Sequence, residues 1–217
     1  MNEEFFEELR EKVKGYFEEN GSHDFSHSQR VHDMCVLISG TENVDIDIVR
    51  VSAILHDIAR TNQSRDSSIC HAEEGANMAA DILKEGVFPE EKIEDVLYSI
   101  RSHRQSKGVT PKTKEAAILQ DADRLDALGA ITIARMFSSG VLKERKMHNP
   151  EIDSKKWENE SYSGASSKTT IDGFYNKIFK IKPETFKTRK AQEIAKGRYD
   201  YVRAFVDRFE REWRGEL

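Results

Sequence analysis

Along most of the chain, apolar residues recur at spacings of three and four, and no stretch alternates as a half-buried strand does. The pattern predicts a first helix over about 3–19, stopped at Asn20-Gly21. A second begins near Ser26 and turns Val31, Met34, Cys35 and Ile38 inward. The third, about 45–59, is nearly all apolar in its second half, as expected of a helix buried on every side. A fourth covers about 69–84 and ends at Gly86. The fifth follows Pro89, which suits a first helical turn, and presents Ile93, Val96, Leu97 and Ile100. The sixth and seventh fall at about 114–128 and 130–138. Between 143 and 169 the period is lost. That segment is polar, holds Pro150 and several serines and glycines, and reads as a long ordered loop or a lid. Two helices, about 171–179 and 183–214, close the chain. With no internal repeat and no low-complexity linker, a single all-α domain over 1–217 is the simplest organisation.

A chain of 217 residues buries a sizeable core without disulfides. Apolar residues make up 37% and charged residues 34%, so that core must be economical. The formal charge of −5 argues against an extended nucleic-acid surface, which shows as a basic domain, and leaves room only for local basic pockets. Cys35 and Cys70 form no C-x-x-C pair, and reduced thiols are the expectation. No apolar run approaches the roughly 18 residues of a membrane span. The start, MNEEFFEELREK, is acidic and amphipathic, unlike a secretory signal, so the expected location is the cytoplasm.

The chemistry is carried by ionisable groups where a helix should be apolar. His27 precedes Val31, Met34 and Ile38 by four, seven and eleven residues and shares their stripe. His56 follows Val49, Ser52 and Ala53 in the run AILHDIA, with Asp57 beside it. Asp123 stands between Leu119 and Ala127 in LQDADRLDALGAI. Taken singly, His27 is more simply a hydrogen-bonded core histidine and Asp123 a cap or rim residue. Taken together, several buried charges need partners or a cation to offset desolvation. One divalent ion satisfies two imidazoles and two carboxylates at once. His56 and Asp57 diverge by about 100° on a regular helix, so they converge only on an ion beside the helix end. His27 and Asp123 must then come in from other helices.

The pattern His27 … His56-Asp57 … Asp123 resembles the signature of the HD superfamily of metal-dependent phosphohydrolases. The surrounding words HSQRV, LHDIA and QDADRLDALGAI are similar to that family too. Together with DGFYNKIFKIK near the C-terminus, they most resemble its compact bacterial YpgQ/YedJ-type hydrolases. The resemblance implies a helical bundle with the metal between helices. Its metal-binding core spans about 22–140, followed by the 143–169 segment and C-terminal helices over about 171–214. It also implies hydrolysis of a phosphoester or phosphoanhydride in a small phosphorylated substrate, with a nucleotide favoured. Two nitrogens and two carboxylate oxygens suit Mn²⁺, Fe²⁺, Co²⁺ or Mg²⁺, and the absence of cysteine ligands argues against structural zinc. Such an ion activates a water for attack.

Further residues follow less directly. His71 shares a face with Gly75, Met78, Ala79 and Ile82, and His103 continues the stripe of Val96 and Ile100. Read alone, both are core-edge histidines. Some HD families use extra histidines here for a second metal, so His71 and His103 join Asp57 as expected catalytic residues. Their role is open between a second ion, phosphate contact and proton transfer. In HDFSH, either His23 and Asp24 extend the site or Asp24 or Ser26 caps the second helix, with capping favoured. For Asp121 and Asp126, which flank Asp123, orienting neighbouring helices is at least as strong a reading as catalysis. Arg60 stands where some related nucleotidases carry an acidic residue, which removes a carboxylate base there and suggests phosphate contact instead. Arg65, Arg124 and Lys177 are the other expected substrate-binding residues; Arg104 and Lys107 are weaker candidates. His148, in the irregular segment, is expected to be exposed.

The leading function is therefore a nucleoside triphosphate pyrophosphohydrolase or a related nucleotide phosphohydrolase. The alternative is a non-catalytic regulatory module that binds metal and nucleotide. A helical interaction protein with structural histidines is the third. Base, sugar, phosphate number, ion count and oligomeric state have no signature in the sequence.

Overall fold

A computed structural model describes residues 1–17, 24–158 and 167–217. The chain divides into two compact units, Met1–Asp123 and Arg124–Leu217, each described by itself. The architecture is all-α. Among the described residues there is no β-strand, only an isolated bridge between Lys146 and Thr169. No single described helix is long and apolar enough to cross a membrane.

The first unit holds α1 (Glu3–Lys14), α2 (Phe25–Ser39), α3 (Ile46–Leu55), α4 (Arg60–Arg65), α5 (His71–Lys84) and α6 (Glu90–Ser102), and α7 (Lys114–Asp126) begins in it. Asn2 caps α1 by accepting from the Phe5 N–H at 3.1 Å, with Glu3 and Glu4 in the first turn and Lys12 and Lys14 in the last. Phe6, Leu9 and Val13 form its buried stripe. The helix stops at Lys14, short of the expected 19, and Asn20-Gly21 lie outside the described residues. Asp24 caps α2 by accepting from the His27 N–H at 3.2 Å, while the Ser26 hydroxyl donates to the same carboxylate at 2.6 Å. His23 lies outside the described residues. Asp45 caps α3 through the Asp47 and Ile48 N–H groups. Val49, Val51, Ala53 and Leu55 of α3 are fully buried, as its composition predicts. Phe6, Val51, Leu55, Ala76, Val96 and Ile100 belong to one apolar core that joins α1, α3, α5 and α6.

Helix α3 ends at Leu55, not 59, and the polar helix α4, absent from the expected pattern, follows it. The cause is a competition for one carbonyl. In a continuing α-helix the Ala53 oxygen would accept from the Asp57 N–H. Here it accepts from the His56 ring at 2.8 Å, and the backbone turns through three-residue bonds, Ile58 N–H to Leu55 O and Arg60 N–H to Asp57 O.

The second unit contains α8 (Ala130–Leu142), α9 (Thr170–Asn176) and α10 (Arg189–Trp213). α8 runs four residues past its expected end, and Gly140 lets it lie against α9, since a Cβ there would collide with the Thr170 hydroxyl. α9 begins in a capping box between Thr169 and Asp172. The buried Asp172 carboxylate also accepts from the Ser154 hydroxyl at 2.6 Å, and the Thr170 N–H donates to Lys146 O at 2.9 Å. The described parts of the 143–169 segment are thereby tied to α9 as an ordered loop; 159–166 lie outside the described residues. Pro183 opens a short 3-10 turn, Pro183–Thr185, and α10 starts only where the Thr188 hydroxyl accepts from the Ala191 N–H. His148 is buried, not exposed, with its ring edge-on to Trp213 at 5.5 Å and to Phe209 at 6.3 Å.

Candidate metal centre

Two histidines end their helices in the same way. His56 is the C-cap of α3 and His103 the C-cap of α6. Each ring donates its Nδ1–H to the carbonyl three residues back, Ala53 at 2.8 Å and Ile100 at 2.6 Å. A carbonyl oxygen only accepts, so the ring proton sits on Nδ1 and the Nε2 lone pair is left for the interior. Because α3 has already ended, His56 and Asp57 need not diverge. The His56 Nε2 lies 4.0 Å from the Asp57 Oδ2. His27 arrives from the first turn of α2, His71 opens α5, and Asp123 comes from α7.

The Asp57 carboxylate is the hub. Its Oδ2 lies 3.7 Å from the His27 Nε2, and its Oδ1 lies 3.3 Å from the His71 Nε2 and 3.7 Å from the His103 Nε2. The His27 and His56 Nε2 atoms are 3.4 Å apart, and those of His71 and His103 are 3.2 Å apart. Asp123 Oδ1 closes the first side at 3.3 Å from the His27 Nε2. Two lobes therefore share one carboxylate: His27, His56, Asp57 and Asp123 on one side, Asp57, His71 and His103 on the other. The potential ligand atoms of the triads His27-His56-Asp57 and Asp57-His71-His103 lie within 4.8 Å of one another. These five residues are buried, whereas the Asp123 side chain is 28% exposed and marks the wetter edge.

Electrostatics favour a cation here. Burial, only partly countered by Asp57, pushes the His56 imidazolium down to about 4, with His103 and His27 adding to the shift. Burial likewise takes His71 down to about 3, with His103, Arg60 and Arg104 acting in the same direction. For Asp123, burial opposes ionisation, but the hydrogen bond and charge of His27 outweigh it and hold the carboxyl well below its ordinary range. Neutral His56 and His71 rings and an ionised Asp123 carboxylate belong to a donor set that fits a divalent ion.

Residues 24–128 match the HD domain family. The chain is similar over nearly its whole length to a crystal structure of an HD-superfamily hydrolase from Bacillus thuringiensis. Identity is 32%, with 98% of both chains covered and a TM-score of 0.76. The chain belongs to the HD superfamily. A second crystal structure, of a predicted HD-superfamily hydrolase from an uncultured Thermotogales bacterium, is 31% identical. It covers 98% of this chain and 99% of its own, with a TM-score of 0.68. The Bacillus subtilis protein YpgQ is 25% identical over 210 residues, 95% of this chain and 92% of YpgQ. A crystal structure of YpgQ in complex with ADP, matched at 23% identity over 96% of this chain and 95% of that one, has a TM-score of 0.71.

In this HD-superfamily hydrolase the structure brings together His27, His56, Asp57, Asp123, His71 and His103. Of the expected substrate-binding residues, Arg60 reaches the cluster, with Nη1 3.0 Å from the His71 Nδ1. Arg65 is exposed in the last turn of α4. Arg124 belongs to the second unit, where it donates to the Thr185 carbonyl at 3.0 Å and stacks 4.2 Å over the Phe186 ring. Lys177 is exposed at the end of α9 in the same unit. Asp126 accepts from Arg135 at 2.9 Å, in keeping with an orienting role.

Two contributors escape the sequence pattern. Gln63, in the aperiodic helix α4, hydrogen-bonds the His71 ring through Oε1; its one signal is the three-residue spacing from Arg60. Gln120, fully buried, donates to the Ser102 carbonyl at 3.0 Å and the Val109 carbonyl at 3.1 Å, tying α7 to the end of α6 beside His103. Apart from the site, buried His32 meets Arg10 and Arg50, each 3.2 Å from its Nε2, across sequence separations that carry no local signal.

Proposed function

We propose that this HD-superfamily hydrolase is a metal-dependent phosphohydrolase of nucleotides, acting first on triphosphates to give nucleoside monophosphate and pyrophosphate. The observation that carries the proposal is the Asp57 carboxylate set among four inward-facing imidazole nitrogens. His27, His56, Asp57 and Asp123 would hold the principal ion, with Mn²⁺, Fe²⁺, Co²⁺ or Mg²⁺ suited to the donors. When bound, that ion supplies a Lewis acid for phosphoryl oxygen and a water of lowered pKa. His71 and His103 would either hold a second ion with Asp57 or contact phosphate and move a proton. Burial of the histidines excludes bulk water from all sides but that of Asp123, which strengthens each charge interaction inside. Arg60 would neutralise phosphate charge at the rim, with Arg65, Arg124 and Lys177 as further donors. The ADP complex of YpgQ supports a nucleotide as the substrate class. One functional domain spans both compact units, and the unpaired thiols of Cys35 and Cys70 support a cytoplasmic setting.

A nucleotide panel assayed after chelation and after adding back Mn²⁺, Co²⁺ or Mg²⁺, with products identified, tests the proposal. Triphosphate cleavage that stops on chelation and returns with Mn²⁺ or Co²⁺ is expected. Metal-loaded protein inert towards nucleotides and generic phosphoesters would make it the regulatory binding module instead.

A further inference from the structure

His56 and His103 have their tautomers pinned by main-chain carbonyls, but His71 opens α5 and meets side chains of α4 instead. Arg60 Nη1 stands 3.0 Å from its Nδ1, and Gln63 Oε1 is hydrogen-bonded to the same nitrogen. Arg60 and Gln63 are one helical turn apart, with Nη1 and Oε1 separated by 3.5 Å, so both address one ring atom.

These two partners demand opposite forms of the ring. A guanidinium has only N–H donors, so it meets Nδ1 as a lone pair and leaves the ring proton on Nε2. That proton then faces Asp57 Oδ1 at 3.3 Å and no lone pair is offered to a cation. A glutamine carbonyl only accepts, so it requires Nδ1–H and leaves the Nε2 lone pair towards Asp57 and His103.

We propose that Arg60 and Gln63 are opposing positioning residues that select the tautomer of His71. Arg60 holds the form that rejects an ion in the Asp57-His71-His103 lobe, and Gln63 holds the form that accepts one. A phosphate anion that draws Arg60 away therefore opens this lobe to a cation. By linkage, anion and cation bind here with positive coupling. The inference rests on the reading that this lobe takes an ion.

Two readouts on the full chain test it. Nitrogen-15 NMR of chelated protein should show His71 as Nε2–H, shifting to Nδ1–H on adding inorganic phosphate and in Arg60→Met. Mn²⁺ titration followed by electron paramagnetic resonance should show the second ion bound several-fold more tightly in Arg60→Met. Gln63→Leu should weaken that ion by about 10–100-fold, the usual effect of losing an outer partner of a histidine ligand. Gln63→Glu, whose carboxylate accepts the same proton, should restore it. Nδ1–H in chelated wild type, or a second affinity unmoved by these variants, overturns the inference alone. A single bound ion in wild type, unchanged by His103→Ala, overturns the two-ion lobe and the inference with it.

Discussion

His56 and His103 meet edge to face, ring centroids 5.2 Å apart at 81°, each holding the carbonyl that would otherwise extend its own helix. The two helix ends thus aim two Nε2 atoms at the same carboxylate, and the site's geometry follows from where α3 and α6 stop.

His56→Ala and Asp123→Ala should each lose the principal ion while far-ultraviolet circular dichroism stays helical, because the core joining α1, α3, α5 and α6 does not depend on either side chain. Metal analysis after dialysis checks this. Retention of the full wild-type ion content in both variants would exclude them as ligands.

His71→Ala and His103→Ala should keep the principal ion. If the pair serves phosphate contact or proton transfer, turnover should fall by about 10²–10⁴ with ion content unchanged. If it holds a second ion, stoichiometry should fall by one in either variant. Wild-type rates in both would make these histidines structural.

The convergence of His27, His56, Asp57 and Asp123 was legible because ionisable groups interrupt apolar faces at helical spacing. The end of α3 was not, since the apolar run through LHDIA keeps its period while the His56 side chain, a tertiary choice, takes the Ala53 carbonyl. Gln63 sits in a helix without buried residues, and His32 finds arginines 22 and 18 residues away, so no local pattern announces either. His148 looked like an exposed loop residue because nothing in a polar segment signals packing against α10.

Stability without metal should depend on pH in a defined direction. His56 and His71 titrate at about 4 and about 3 in the folded chain, below the ordinary 6.5, so the unfolded chain takes up protons first as pH falls. The chelated protein should be most stable above pH 6.5 and lose on the order of a few kcal/mol between 6.5 and 4. Thermal melts across that range check it, and His56→Gln should flatten the slope. A melting temperature constant from pH 7 to 4.5 would contradict the assignment of neutral buried rings.

Gln120→Leu should destabilise the chain by about 2 kcal/mol, since it strands the buried Ser102 carbonyl and removes a partner of the partly buried Val109 carbonyl. Denaturant unfolding reads the loss, and a neutral effect would mean that α6 ends beside His103 without help from α7.

The most direct test of the central claim is anomalous diffraction from crystals grown with Mn²⁺. The expected result is a peak roughly 2.0–2.3 Å from the Nε2 atoms of His27 and His56 and from carboxylate oxygens of Asp57 and Asp123. A peak elsewhere, or none within reach of all four side chains, would contradict it.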